Sequence, residues 1–394
     1  MPPPTTQLDA LIVGGGIAGL LTLDALHRRG CRVWLIERDA LGAGQTIWSQ
    51  GIIHGGLKYA LGGEAGEAAR AVSNMPTRWS SMLAGQSDPN LSAVHMRADA
   101  CAVWATSGMS SLAGLLGAQF TLRTKPTLWP ADSLPEALAG VRTKILQVAE
   151  PVLEPMSLLN VLGSMHHSRV LLGDIANITP TDEFIDVELT GGLRIRAGQL
   201  ILTAGAGNAP LRGMAGLAAD REQTRPLQMI LARGPLPVLN GHCIRSTKPW
   251  LTITTVASDS HTRVWQIGGQ VAERGAEMTA EATVHAAVQD VRKAMPNLSL
   301  EGTEWSTYLA PRSEYATDQG GRPDRHGLIE DDRIITAWPT KLALAPLLAD
   351  DIAHRISASS GNLDVPTGMA KPTTATPPWQ EDRIWTPVHS AAPA

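Results

Sequence analysis

The chain carries little sulfur chemistry. Its three cysteines, Cys31, Cys101 and Cys243, are widely separated, show no CxxC spacing and cannot all pair. This excludes a disulfide framework and gives no reason to expect a metal site. The thiols should be reduced and packed, as in a cytoplasmic protein. An excess of positive charge is also lacking, since 33 Lys+Arg against 37 Asp+Glu leave a net charge of −4. Nucleic-acid binding normally needs a basic face, so that class of partner is excluded. A membrane-spanning run is missing as well. The apolar stretch over residues 8–26 is interrupted by Asp9 and Asp24, and no basic segment precedes it, so it reads as neither a transmembrane segment nor a signal peptide. Peripheral membrane contact is left open. The length of 394 residues exceeds what one core usually supports, and two domains are expected.

What is present is a complete dinucleotide-binding unit. Residues 10–13 form an apolar strand that runs into Gly14, Gly16 and Gly19. An apolar helix follows to about Arg29, Gly30 closes it, and a second strand over residues 32–36 ends in Glu37. Gly14 permits the tight turn, Gly16 lets a pyrophosphate approach the backbone, and Gly19 lets helix and strand pack closely, while Glu37 can accept hydrogen bonds from a ribose diol. The helix start at Ile17 and Ala18 supplies amides and a positive dipole end to the phosphates. There is no second fingerprint of this kind, which argues against reduction by a bound nicotinamide nucleotide. Electrons should enter from the substrate.

The segment after Glu37 resembles flavoenzymes of the D-amino-acid oxidase superfamily. Within it, Ile53-His54-Gly55-Gly56-Leu57-Lys58-Tyr59 is similar to the flavin-side motif of FAD-dependent glycerol-3-phosphate dehydrogenases, with Lys58 where those carry arginine. Ser49-Gln50-Gly51-Ile52-Ile53-His54 is similar to the matching stretch of L-2-hydroxyglutarate oxidases. Residues 199–207 resemble the superfamily's late strand beneath the nucleotide, and residues 333–350 the strand and helix that finish the flavin pocket. The resemblance implies FAD as cofactor, held by Arg38, Gln45, Thr46, Ser49, Gln50, Gly51 and Ile53 after the ribose-binding acid. It adds Ala204 and Gly205 from the late strand, and Thr340, Lys341 and Leu342 near the end. The Gln45 to Gln50 loop has no histidine and no cysteine lies near Lys341, so attachment should be noncovalent.

The implied fold is α/β. A Rossmann-like FAD-binding domain is discontinuous in sequence, over residues 1–85, 146–225 and 326–365. An α+β substrate domain with a mixed or antiparallel sheet covers 86–145 and 226–325. Helices are expected over about 64–83 and 110–116, from an initiating segment at residues 150–155 through Met165, and over 279–295, with a hairpin over 187–195 turning at Gly191-Gly192. The histidines at 166 and 167, at a helix end, suit capping better than metal binding. From Pro366 to the end, proline, threonine and alanine dominate; this tail either wraps over the surface, pinned by Trp379 and Trp385, or stays disordered.

Four cations are candidates for a substrate site at the domain junction. By the resemblance, Lys58 comes from the flavin-side motif, Arg312 matches a substrate-binding arginine, Arg325 a second arginine, and Lys341 the lysine of a Gly-Gly-Lys motif. Pro339 and Thr340 replace both glycines of that motif, and the chain ends without the extra helical domain of the glycerol-3-phosphate enzymes, which weighs against glycerol 3-phosphate itself. Such a pocket implies a small anionic substrate. His54 is the first candidate for the base, with His242 and His261 as competitors, and Tyr59 can hydrogen-bond substrate or base. The expected activity is oxidation of a phosphorylated alcohol or 2-hydroxy acid at a CH–OH carbon, with electrons passing to a quinone, a carrier or oxygen. The alternatives are an amine oxidase of the glycine or D-amino-acid oxidase type, and a flavin-bound scaffold without turnover.

Overall fold

The structure is a computed structural model that describes residues 6–55, 72–106, 126–245, 248–257, 262–318, 320–359, 361 and 363–388. Strand β1 (Thr6–Val13), helix α1 (Ile17–Arg28) and strand β2 (Val33–Glu37) form the unit expected from the glycine pattern. Apolar residues fill both faces of β1: Ala10 and Ile12 join one core, and Leu11 and Val13 the other. A strand hydrophobic on both sides belongs in the middle of a covered parallel sheet. It lies there, between Arg194–Leu202 and β2, parallel to both.

The eight-stranded sheet continues on one side to Val170–Leu172 and on the other to Ile334–Trp338, both parallel, with Gly327–Asp331 as an antiparallel edge. The long strand Arg194–Leu202 changes neighbour along its length. Its first half pairs with Ile185–Leu189 in the hairpin turning near Gly192, and its end pairs with Ile334–Trp338. Helix α1 is buried from Ile17 to Leu26 and packs against the helix Ala345–Ala353.

Among the described residues the second sheet has nine strands and is mixed. Its centre is an antiparallel run of Glu304–Leu309, Gln228–Gly234, Arg263–Gly268, Lys248–Ala257 and Gly241–Arg245, and Gly241–Arg245 then pairs parallel with Cys101–Ala105. The helices Gln270–Gly275 and Ala280–Ala294 cover one side, where Val284, Ala287, Val288 and Val291 join the sheet's core. Thr279 caps the longer helix by accepting from the Ala282 amide at 3.2 Å. The architecture is therefore a Rossmann-like α/β part joined to an α+β part.

One segment sits elsewhere than the sequence suggests, and the tail adds a strand. Leu146–Val148, expected in the nucleotide-binding part, pairs with Cys101–Ala105 in the nine-stranded sheet. Thr386–Pro387, expected in the tail, pairs with Trp305 and Glu304 at that sheet's edge. The tail wraps: Trp379 and Trp385 pack on the core, and Arg97 and Arg233 stack over their rings at 5.3 and 4.2 Å. His166 ends the helix Pro155–Met165 but turns inward, its Nε2 lying 3.2 Å from Asp24 Oδ1. All three cysteines are buried and free. The expected helix over 110–116, and residues 64–71 of the one over 64–83, lie outside the described residues. The remainder of the latter forms Met75–Leu83. Among the described residues, no helix is long and apolar enough to cross a membrane.

Candidate active site

At the end of β1 the backbone turns through Gly14 at φ +109°, where a Cβ would lie 2.6 Å from the Ala204 Cα. A Cβ on Gly19 would lie 2.0 Å from the Gly14 carbonyl oxygen, so helix and turn touch without room for a methyl group. Gly16 is different. A Cβ there would meet only the Thr46 hydroxyl, at 3.3 Å, and the space before it is open. That hydroxyl accepts from the Ile17 amide at 3.1 Å, while Glu37 accepts from the Gly15 amide at 2.6 Å and the Asp39 amide at 2.9 Å.

A cavity of about 590 Å³ runs along this turn. Of the expected cofactor residues, Gly14, Gly16, Ile17, Ala18, Glu37, Arg38, Gln45, Thr46, Ala204 and Gly205 line it. A second cavity of about 150 Å³ shares Ile17, Gln45, Thr46, Trp48 and Pro339 with the first, and Ser49, Gln50, Gly51, Thr340, Lys341 and Leu342 line its walls. Gly19 and Ile53 line neither. Gly19 serves helix packing, and Ile53 is fully buried with its amide on the Pro151 carbonyl. The residues suit FAD: a clear glycine cradle for the pyrophosphate, an acid in reach of a ribose, and a buried Ser49 hydroxyl without a protein partner at the inner cavity. Two glutamines fix the loop that crosses between the sheets. Gln45 exchanges hydrogen bonds with the Ser313 backbone, and Gln50 donates to the Thr252 and Gln266 carbonyls at 3.0 and 2.8 Å.

The inner cavity gathers His54, Arg312, Arg322 and Lys341. Burial, and then the nearby Arg322, lower the Arg312 pKa to about 10. Arg325 is exposed and does not line the cavity; Arg322, three residues earlier, does. Thr340 adopts φ +60° and donates from its hydroxyl to the Arg325 carbonyl at 2.9 Å. Lys58, Tyr59 and His261 lie outside the described residues.

His54 Nδ1 lies 3.3 Å from Glu150 Oε2, and His242 Nε2 lies 3.2 Å from the same oxygen. Burial works to raise the Glu150 pKa, but the hydrogen bonds and charges of the two histidines overcome it and hold the carboxyl well below its ordinary range. Burial lowers the His54 pKa, with Glu150 opposing. The facing atoms of His54, Glu150 and His242 all lie within 4.8 Å of one another, a spacing compatible with a metal ion, and the hydrogen-bond chain already uses each of them. Glu150 escapes a reading of sequence because it is 96 residues from its partner. The available signal is a lone carboxylate inside the apolar stretch 145–153.

The family model described as DAO, FAD dependent oxidoreductase, matches residues 9–337. The FAD-dependent oxidoreductase PA4991 of Pseudomonas aeruginosa is 34% identical over 391 residues, covering 96% of this chain and 99% of that protein. Its crystal structure aligns with a TM-score of 0.81 at 32% identity, over the same shares of the two chains. Two more distant structures share the fold. L-alpha-glycerophosphate oxidase from Mycoplasma pneumoniae with FAD bound has a TM-score of 0.66 at 14% identity, covering 94% of this chain and 100% of that one. Glycine oxidase from Geobacillus kaustophilus has 0.65 at 15%, covering 90% and 97%. The match over most of its length shows that this chain belongs to the DAO family of FAD-dependent oxidoreductases.

Proposed function

We propose that the enzyme oxidises a small anionic hydroxy compound, a 2-hydroxy acid or a phosphorylated secondary alcohol, at its CH–OH carbon. The observation that carries this reading is the imidazole of His54, in the wall of the inner cavity, with the buried carboxylate of Glu150 at its Nδ1. An alcohol must lose its hydroxyl proton as hydride departs, whereas an amine can arrive neutral and needs no such group. FAD, when bound, supplies the hydride acceptor.

The chain's own residues then divide the work. Arg312, Arg322 and Lys341 present positive charge to the anion, the arginines as planar forks suited to carboxylate or phosphate. His54 takes the hydroxyl proton at Nε2, the ring nitrogen that Glu150 does not engage. The buried charge of Glu150 stabilises the imidazolium that results. Electrons leave to a quinone, a carrier or oxygen. Anaerobic titration of the FAD-loaded enzyme with hydroxy and amino anions tests the reading. Bleaching by hydroxy compounds supports it, bleaching by amino compounds alone replaces it with an amine oxidase, and a flavin that every anion leaves oxidised replaces it with a scaffold.

A further inference from the structure

The two oxygens of Glu150 have different partners, and the difference determines where hydrogen sits on His54. Oε1 accepts from the backbone amide of Gly55 at 2.7 Å. A backbone N–H cannot exchange its role, so the atom facing it must be an acceptor. Oε2 faces two imidazoles, His54 Nδ1 at 3.3 Å and His242 Nε2 at 3.2 Å. A carboxylate offers only lone pairs, so both of those nitrogens carry hydrogen. In the neutral His242 ring the lone pair is then on Nδ1, and the Thr252 hydroxyl meets it at 3.1 Å as donor. Every polar atom of Glu150 and His242 has a role in this chain, and both side chains are 3% exposed or less. His54 stands at its open end, with its side chain 42% exposed and its ring in the cavity wall.

We infer that Glu150 and His242 are positioning residues that hold His54 in the tautomer with hydrogen on Nδ1, which keeps the Nε2 lone pair available to the substrate hydroxyl. The effect on rate rests on the hydroxy-oxidation reading, but the tautomer does not. The isosteric change Glu150→Gln separates this from a role in packing. The amide oxygen must face the Gly55 N–H, because the NH2 group there would oppose another donor. The NH2 group is thereby turned toward both imidazoles and requires acceptors at His54 Nδ1 and His242 Nε2. His54 must move its hydrogen to Nε2, and the base is lost without loss of volume.

The test uses FAD-loaded protein labelled with nitrogen-15 in histidine, in which long-range proton–nitrogen spectra report which ring nitrogen carries hydrogen. The His54 signals are assigned by their loss in His54→Ala. The parent should show hydrogen on His54 Nδ1 and Glu150→Gln should show it on Nε2, with FAD content retained in both. Hydrogen on Nε2 in the neutral parent ring, or an unchanged tautomer in Glu150→Gln, would overturn the inference. Rates give a second arm, with lactate, 2-hydroxyglutarate and glycerol 3-phosphate as probes in anaerobic stopped flow. Glu150→Gln should slow flavin reduction by on the order of 10²–10⁴-fold, with little change in probe affinity. His242→Gln, which keeps a donor toward Glu150, should restore most of the rate that His242→Leu loses. If His54→Ala slows reduction and Glu150→Gln does not, positioning fails and the hydroxy-oxidation reading stands. If His54→Ala reduces at the parental rate, that reading fails, and the spectra alone decide the tautomer.

Discussion

Thr340 holds a left-handed backbone at φ +60° and spends its hydroxyl on the carbonyl oxygen of Arg325, 2.9 Å away. A β-branched residue in this region is strained by about 1–2 kcal/mol. The hydrogen bond returns on the order of 1 kcal/mol, so the position is nearly balanced. Thr340→Gly should therefore leave the melting temperature and FAD content close to parental. Thr340→Val keeps the strain without the hydroxyl and should lower the melting temperature, as thermal unfolding would show.

The glycines of the cradle should separate in their effects. Gly16→Val places a branched side chain in the open space before the α1 N-terminus, so the protein should fold but purify without flavin. Gly19→Ala drives a methyl group into the Gly14 carbonyl and should lower stability as well. Absorbance of purified protein and acid precipitation check both the amount of FAD and its noncovalent attachment. Full flavin content in Gly16→Val would disprove the placement.

The cation pocket predicts a contrast between two neighbouring arginines. Arg312→Ala and Arg322→Ala should weaken capture of the anion, by on the order of 2–5 kcal/mol where a buried charge is left unpaired. Arg325→Ala should change it little, because that side chain is exposed and outside the cavity wall. Flavin content should survive all three, and kinetics as a function of anion concentration would rank them.

The environment of His54 sets a pH dependence. Its partial removal from water lowers its pKa from 6.5, Glu150 works in the opposite direction, and His242 and Arg322 add to the lowering. The base is active when neutral, so flavin reduction should rise with pH through a value below the ordinary imidazole range and stay flat above it. Removing the carboxylate in Glu150→Gln takes away the opposing influence. The acid limb should then move to lower pH while the plateau falls. A limb that moves upward would mean that Glu150 is not the partner of the titrating group.

The local unit from β1 to Glu37 was legible in the sequence because each step of its chemistry is encoded by adjacent residues: apolar strand, glycine turn, apolar helix, acid. The hairpin at Gly192 and the helix capped by Thr279 were legible for the same reason. Leu146–Val148 was misplaced because a short apolar strand carries no mark of the sheet it joins. Arg325 stands out by motif position, and only the loop's path shows that Arg322, three residues earlier, lines the cavity. Glu150 and His242 acquire their meaning from each other and from His54, across three distant segments. No periodicity or local spacing links them.

Anaerobic flavin reduction with matched pairs of anions, lactate against alanine and 2-hydroxyglutarate against glutamate, with glycerol 3-phosphate alongside, separates oxidation at CH–OH from oxidation at CH–NH. Hydroxy compounds should bleach the bound FAD, and His54→Ala should slow that step by on the order of 10²–10⁴-fold while substrate affinity changes far less. Bleaching by the amino partners alone, or reduction of His54→Ala at the parental rate, would contradict the hydroxy-oxidation reading.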